Sequence, residues 1–164
     1  MKKAIVALLT LPMLASCASE EPQQNVRHTA WQISEVYVDP ETPPAIPREV
    51  IGAAVMNFGG QSANGFTGCA SFNGIVAFTK DGEEASPEDA DMLDVRTVEF
   101  SPIDENQCVG KVRFVHDALV HMLVENSFDI KRTPDGALRM IAQTEDIDPQ
   151  GFKLDSLAPS QSAE

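Results

Sequence analysis

The sequence predicts an α+β domain: a mostly antiparallel β-sheet of about six to eight strands with one amphipathic helix packed on it. Three observations carry that reading. Short runs of alternating apolar and polar residues recur along the chain, separated by Gly-, Pro- and Asp-Gly-containing turns. A single stretch, Gly110 to Glu125, has helical periodicity instead. Thr133-Pro134-Asp135-Gly136 joins two alternating runs as a hairpin turn does, which makes those neighbours antiparallel.

The chain begins with a leader, residues 1–16. Lys2 and Lys3 precede an apolar run from Ala4 to Leu14, and Leu14-Ala15-Ser16 leads into Cys17. A basic start, a short apolar core and small residues are the parts of an export signal. The run is shorter than the roughly 20 residues a spanning helix needs. A cysteine directly after Leu-Ala-Ser makes it look like a lipoprotein signal, with Cys17 as the lipid attachment site. Each buried acyl CH₂ contributes about 0.8 kcal/mol, so two or three chains would hold the protein on a bilayer. Residues 17–28 read as a polar tether, and 29–155 as the domain.

Thr29 to Val38 reads as the first strand, kinked near Ser34-Glu35, with Trp31 as the largest core residue. Asp39 to Pro47 carries four prolines and reads as a rigid connecting loop. Glu49 to Phe58 reads as a second strand, and Gly59 to Gly65 as a turn region. That region has no Gly-Lys-Ser/Thr ending and so is not a phosphate loop. Gly65-Phe66-Thr67-Gly68-Cys69-Ala70-Ser71-Phe72-Asn73-Gly74 follows, dense in glycine and aromatics around one cysteine. Ile75 to Thr79 is a short strand closed by Lys80-Asp81-Gly82. The acidic stretch Glu83 to Asp94 lacks the calcium-loop pattern and reads as a solvated loop. Leu93 to Phe100 is another strand.

In the helix, Val112, Val115, Leu119, Met122 and Leu123 form one apolar face, widened by Phe114, Ala118 and His121, and Asn126 is placed to cap the end. Ser127 to Ile141 forms the hairpin, Gly151 to Leu154 a last short strand, and residues 156–164 a polar tail.

The charge excludes some functions. The formal net charge is −13, and removal of Lys2 and Lys3 with the leader leaves 10 basic against 25 acidic side chains, or −15. No nucleic-acid partner fits that balance, because phosphates require a basic footprint. Beyond Cys17, Cys69 and Cys108 are the remaining cysteines. In an exported protein they favour a disulfide over two free thiols, and the closed loop of about 40 residues would contribute roughly 3–4 kcal/mol. There is no Cys-x-x-Cys and no paired histidine, so no metal site is expected, and no cofactor. His116 and His121, five apart, point in different directions on a helix. The candidate nucleophilic pairs are Cys108 with His116 and Cys69 with His121, and a disulfide would remove both thiols, so no catalytic residue is expected.

From Thr29-Ala30-Trp31-Gln32-Ile33, through Gly65-x-x-Gly68-Cys69-x-x-Phe72-x-Gly74, Thr97 and Cys108, to the helix and the Thr133-Pro134-Asp135-Gly136 hairpin, the chain resembles the META domain, or HslJ family. The match runs from about Thr29 to Leu154; the asparagine that usually follows the family's cysteine is Ala70 here. The resemblance implies a small antiparallel β domain with a helix on one face, exported or lipid-anchored, associated with stress and envelope integrity, and without established enzymatic activity. The expected function is therefore a lipid-anchored envelope protein, outside the cytoplasm on the cell membrane or an outer membrane, that binds or stabilises another envelope protein. The alternative is a carrier of a small apolar ligand or lipid in a cavity between sheet and helix.

Overall fold

The computed structural model describes residues 25–39, 46–47, 50–124, 126–145 and 147–157. The leader, Cys17, most of the tether, most of the proline-rich segment and the end of the tail lie outside the described residues.

Among the described residues nine strands and one α-helix follow in order: β1 (Trp31–Tyr37), β2 (Ala54–Phe58), β3 (Ser62–Thr67), β4 (Ser71–Lys80), β5 (Glu83–Glu84), β6 (Met92–Phe100), α1 (Gly110–Leu123), β7 (Ser127–Arg132), β8 (Leu138–Ala142) and β9 (Gly151–Ser156). All pairings are antiparallel. The expected α+β class holds, but the sheet is not open. Each of eight strands pairs with its successor, β4 with β6, and β9 returns to β1, so the strands close into an up-and-down barrel. The two-residue β5 is an appendage on the end of β4. Closure leaves no open sheet to aggregate through.

The wall is built from two four-stranded sheets, β2-β3-β4-β6 and β1-β9-β8-β7, joined by two short seams. At one seam Trp31 pairs Met56 and Gln32 pairs Val55. At the other, Met92, Leu93 and Asp94 pair Asp129, Phe128 and Ser127. Two bulges bend the strands. One lies in β1 at Ser34, where the sequence suggested a kink. The other lies in β6, where Arg96 is the extra residue between Val95 and Thr97.

The interior is filled by alternate residues of every long strand. Trp31, Ile33, Met56, Phe72, Leu93, Phe128, Leu138, Met140, Phe152 and Leu154 are all almost fully buried. The Trp31 Nε1–H donates to the Val26 carbonyl at 3.1 Å, which satisfies the one polar atom of the largest core residue. Phe58 packs edge-on against Phe78, and Phe128 against Phe152.

Several local readings are corrected. Gly59–Gly65 is not one turn, because β3 begins at Ser62. The second strand starts at Ala54, not Glu49, because Gly52 takes φ +86° and Ala53 N–H donates to Val50 C=O, which makes a turn there. The strand after the cysteine starts at Ser71, so the second half of the glycine-rich motif is strand. The helix ends at Leu123, and the Val124 N–H closes it onto Val120 C=O. Asn126 does not cap it; its side chain accepts from Ser127 N–H. Phe114 and His121 do not join the apolar face and are exposed, whereas His116 does join it and is buried. Val26–His28, read as tether, form a 3₁₀ turn that buries Val26. The Asp81-Gly82 turn is as expected, with both residues at positive φ.

Candidate functional site

The glycine-rich motif forms one rim of the barrel. Gly65 faces inward between Met56 and Phe72 in the strand register. A Cβ there would strike the Val55 carbonyl oxygen and the Phe72 ring, so only glycine lets β2 and β4 close on β3 at this point. Thr67 ends β3, and Gly68-Cys69-Ala70 make the turn into β4, with Gly68 at φ +99°. A side chain at Gly68 would also meet Val112 of α1. The turn and the first helical turn are therefore pressed together.

A disulfide fastens this contact. Cys69 and Cys108 are bonded, with their Cα atoms 5.3 Å apart. Cys69 lies in the β3–β4 turn rather than in the middle of the sheet, and Cys108 stands two residues before α1. The bond thus ties the rim of the barrel to the start of the helix. The helix has no side-chain cap, since Val109 occupies the N-cap position and cannot accept a hydrogen bond through its side chain. The covalent bond fixes an entry that capping chemistry leaves loose.

Beneath the disulfide lies a buried polar pair. Thr67 Oγ1 is 2.7 Å from His116 Nδ1. The hydroxyl also accepts from Ala70 N–H at 3.1 Å and stands 3.1 Å from the Ala70 carbonyl. Thr67 is fully buried and His116 is 6% exposed. Burial pushes the His116 pKa down; Asp117 raises it and Arg113 lowers it to a lesser extent. The imidazole is thus held neutral, as a hydrogen-bond partner for Thr67. Sequence reasoning missed this pair. The signal was present: His116 lies four residues after Val112 and three before Leu119, on the apolar stripe itself.

The pairs weighed as nucleophile and base are not formed. Both sulfurs are spent in the disulfide, His116 faces Thr67, and His121 is exposed. Among the described residues no group of three or more His, Cys, Asp or Glu side chains is placed to hold a metal ion. At the opposite rim an open cleft of about 370 Å³ is lined by Asn25, Arg27, His28, Ser86, Glu88 and Asp89. There Glu88 accepts from the backbone and side chain of Arg27 at 3.2 and 3.1 Å. Burial raises the Glu88 pKa, but hydrogen bonding from its own backbone, then the Arg27 hydrogen bonds and charge, outweigh it and hold the carboxyl below its ordinary value. Arg132 binds the same loop through the carbonyls of Pro87, Glu88 and Ala90. The cleft is polar; Glu88 Oε1 is satisfied by Arg27, whereas Glu88 Oε2 is buried without a hydrogen-bond partner among the described residues.

A third cluster lies on the outer wall of β1, β9 and β8. Arg139 stacks on the Tyr37 ring at 5.6 Å and donates to its hydroxyl at 3.0 Å, while Tyr37 donates to Glu35. Lys153 pairs with Asp155 at 3.1 Å and Asp135 at 3.7 Å. Burial foremost, then the Glu35 hydrogen bond and charge, raise the Tyr37 pKa. These partners cross-brace the wall.

No family model matches the chain, and no curated protein matches it. Among solved structures, an NMR structure of a protein from Burkholderia xenovorans is similar, with a TM-score of 0.56 and 16% identity, over 97% of this chain and 100% of that one. The likeness is one of fold.

Proposed function

We propose that the chain is a lipid-anchored cell-envelope protein with a META/HslJ-like domain, without catalytic activity, that binds or stabilises another envelope component. The observation that carries this reading is the Cys69–Cys108 bond. It belongs to an oxidising compartment, and it leaves Cys17, behind its apolar leader, as the one cysteine available for acylation. The META/HslJ reading draws support from the motif, whose Gly65 and Gly68 meet steric demands and whose cysteine clamps the helix. The alternative, an apolar carrier, finds less support, because Trp31, Phe72, Phe128 and Phe152 occupy the barrel interior.

The test is intact mass of the membrane-extracted protein before and after reduction with thiol alkylation. The expected result is an N-terminus at Cys17 carrying acyl mass, with two thiols appearing only on reduction. An unacylated chain recovered from the soluble fraction overturns the anchor. A co-purifying lipid in the same spectrum favours the carrier. Shortening the tether while the domain stays folded should abolish function in cells, whereas full function of an unlipidated form refutes the proposal.

A further inference from the structure

Two backbone donors converge on the Thr67 hydroxyl oxygen. Ala70 N–H donates to Oγ1 at 3.1 Å and Cys69 N–H at 3.5 Å. A hydroxyl oxygen has two lone pairs, so both are taken and only its proton remains to be placed. Two acceptors lie within reach of that proton, His116 Nδ1 at 2.7 Å and the Ala70 carbonyl at 3.1 Å. The Ala70 carbonyl already accepts from Thr67 N–H at 2.9 Å. The hydroxyl therefore donates to Nδ1, and the neutral imidazole carries its proton on Nε2. This contact ties the turn that holds Cys69 to the buried face of α1, and the disulfide ties the same turn to Cys108, just ahead of the helix.

We infer that Thr67 and His116 form an acid-operated latch on α1, in parallel with the disulfide: once Cys69–Cys108 is reduced, proton uptake by His116 draws the helix off the barrel rim. The seated site resists that proton. Protonated Nδ1 is a donor aimed at a hydroxyl hydrogen. Thr67 can turn its own proton to the Ala70 carbonyl, but three donors then compete for two lone pairs, and the long bond from Cys69 N–H is lost. No neighbouring charge rescues the imidazolium. Strands β3 and β1 pack on α1; β3 has no titratable side chain, and Glu35 and Tyr37 of β1 are bound to each other and to Arg139 on the outer wall. Ahead of the helix, Asp104 is bonded within its own turn to Asn106 and Gln107. On α1 itself, Asp117 and Arg113 pair at 2.7 Å and act on the ring in opposite senses. The proton is therefore accepted more readily when α1 has lifted and the ring meets water, so acid favours the lifted state. The closed disulfide prevents this lifting. An external dithiol that gives two electrons and two protons to Cys69 and Cys108, and leaves as a disulfide, removes the covalent tie. The helix start has no side-chain cap to replace it. Val115, Leu119, Met122 and Leu123 then leave the core together.

The latch depends on neither the lipid anchor nor a partner. The test is NMR of the full-length chain, oxidised and, separately, kept reduced by excess dithiol. Near neutral pH the His116 ring should show a protonated Nε2 and a bare Nδ1. In the oxidised form, amides from Val115 to Leu123 should exchange hydrogen no faster than core amides such as Ile130 and Met140. In the reduced form they should exchange at least about tenfold faster than that core, after correction for intrinsic rates. Their protection should then fall by up to about tenfold per pH unit as the pH drops below about 6.5. In reduced protein His116→Gln should keep the fast exchange and lose its pH dependence, whereas Thr67→Ser, which keeps the hydroxyl, should retain both the tautomer and the pH dependence. The inference is overturned by a proton on Nδ1, by reduced α1 exchanging in step with the core, or by a pH dependence that persists in His116→Gln.

Discussion

Removing the disulfide should cost this domain a large share of its stability, and the size of the loss follows from where the bond sits. Cys69 and Cys108 are 39 residues apart in sequence. Releasing a loop of about 40 residues returns roughly 13 cal/mol/K of entropy to the unfolded chain, or about 4 kcal/mol at 25 °C. Single domains are stable by about 5–15 kcal/mol, so the loss is substantial but the double variant Cys69→Ala, Cys108→Ala should still fold. Urea unfolding, followed by Trp31 fluorescence, reads the difference from the two midpoints and slopes. Wild-type protein kept reduced and alkylated should match the double variant. The loss should also be uneven in the native state. Because α1 begins without a side-chain cap, its first turn, Gly110 to Arg113, should exchange amide hydrogens much faster once the tie is cut. Core amides such as Leu93 and Phe128 should change only with global stability. A loss below about 1 kcal/mol with an unchanged slope would refute the loop-closure argument. Equal acceleration across helix and core would refute the claim that the bond secures the helix entry.

Thr67→Val keeps the shape of a buried side chain but leaves the Ala70 N–H and His116 Nδ1 without the hydroxyl, so urea unfolding should show a loss of about 2 kcal/mol. Burial lowers the His116 pKa below its unfolded value near 6.5. The unfolded state therefore binds more protons as the pH falls below about 6.5, and stability declines there, with about 1.4 kcal/mol per pH unit as the upper bound for this one group. His116→Gln should remove that component; identical pH profiles between pH 7.5 and 5 would count against it. Gly68→Ala combines strain at φ +99° with a clash against Val112, and should lower the thermal midpoint more than Gly82→Ala, whose Cβ would meet nothing.

Much of the architecture was legible because alternation and turn chemistry are local. The hairpin at Thr133–Gly136, the kink at Ser34 and the helix start at Gly110 all follow from neighbours in sequence. Closure was not legible. Alternation tells which residues face inward but not which strands are adjacent, and the β1–β9 pairing joins the two ends of the domain. Strand β3 was hidden by its own composition: Ser62 and Asn64 face out, Gly65 is needed for close approach, and the sequence therefore reads as a turn. The cysteine pairing could be reached by counting. The Thr67–His116 contact could not, because it joins residues 49 apart, and a polar residue on an apolar stripe does not announce its partner.

The closing pair of strands has a topological corollary. Trp31 lies opposite Ser156, and Leu157 N–H donates to the Ala30 carbonyl at 2.9 Å, so the domain starts and stops at the same point. Joining those ends with a few glycines would make the polypeptide a ring in which every long strand already sits beside its successor. Such a ring can be opened elsewhere. The exposed Asp81-Gly82 turn is the natural place, since a break there sacrifices only the two-residue β4–β5 ladder. The circular permutant would convert the β1–β9 pairing, a contact across the whole sequence, into a local hairpin. Closure passes instead to the β4–β6 pairing, whose strands then lie at the two ends of the permuted chain, so the permutant should reach the same barrel but fold no faster than the parent.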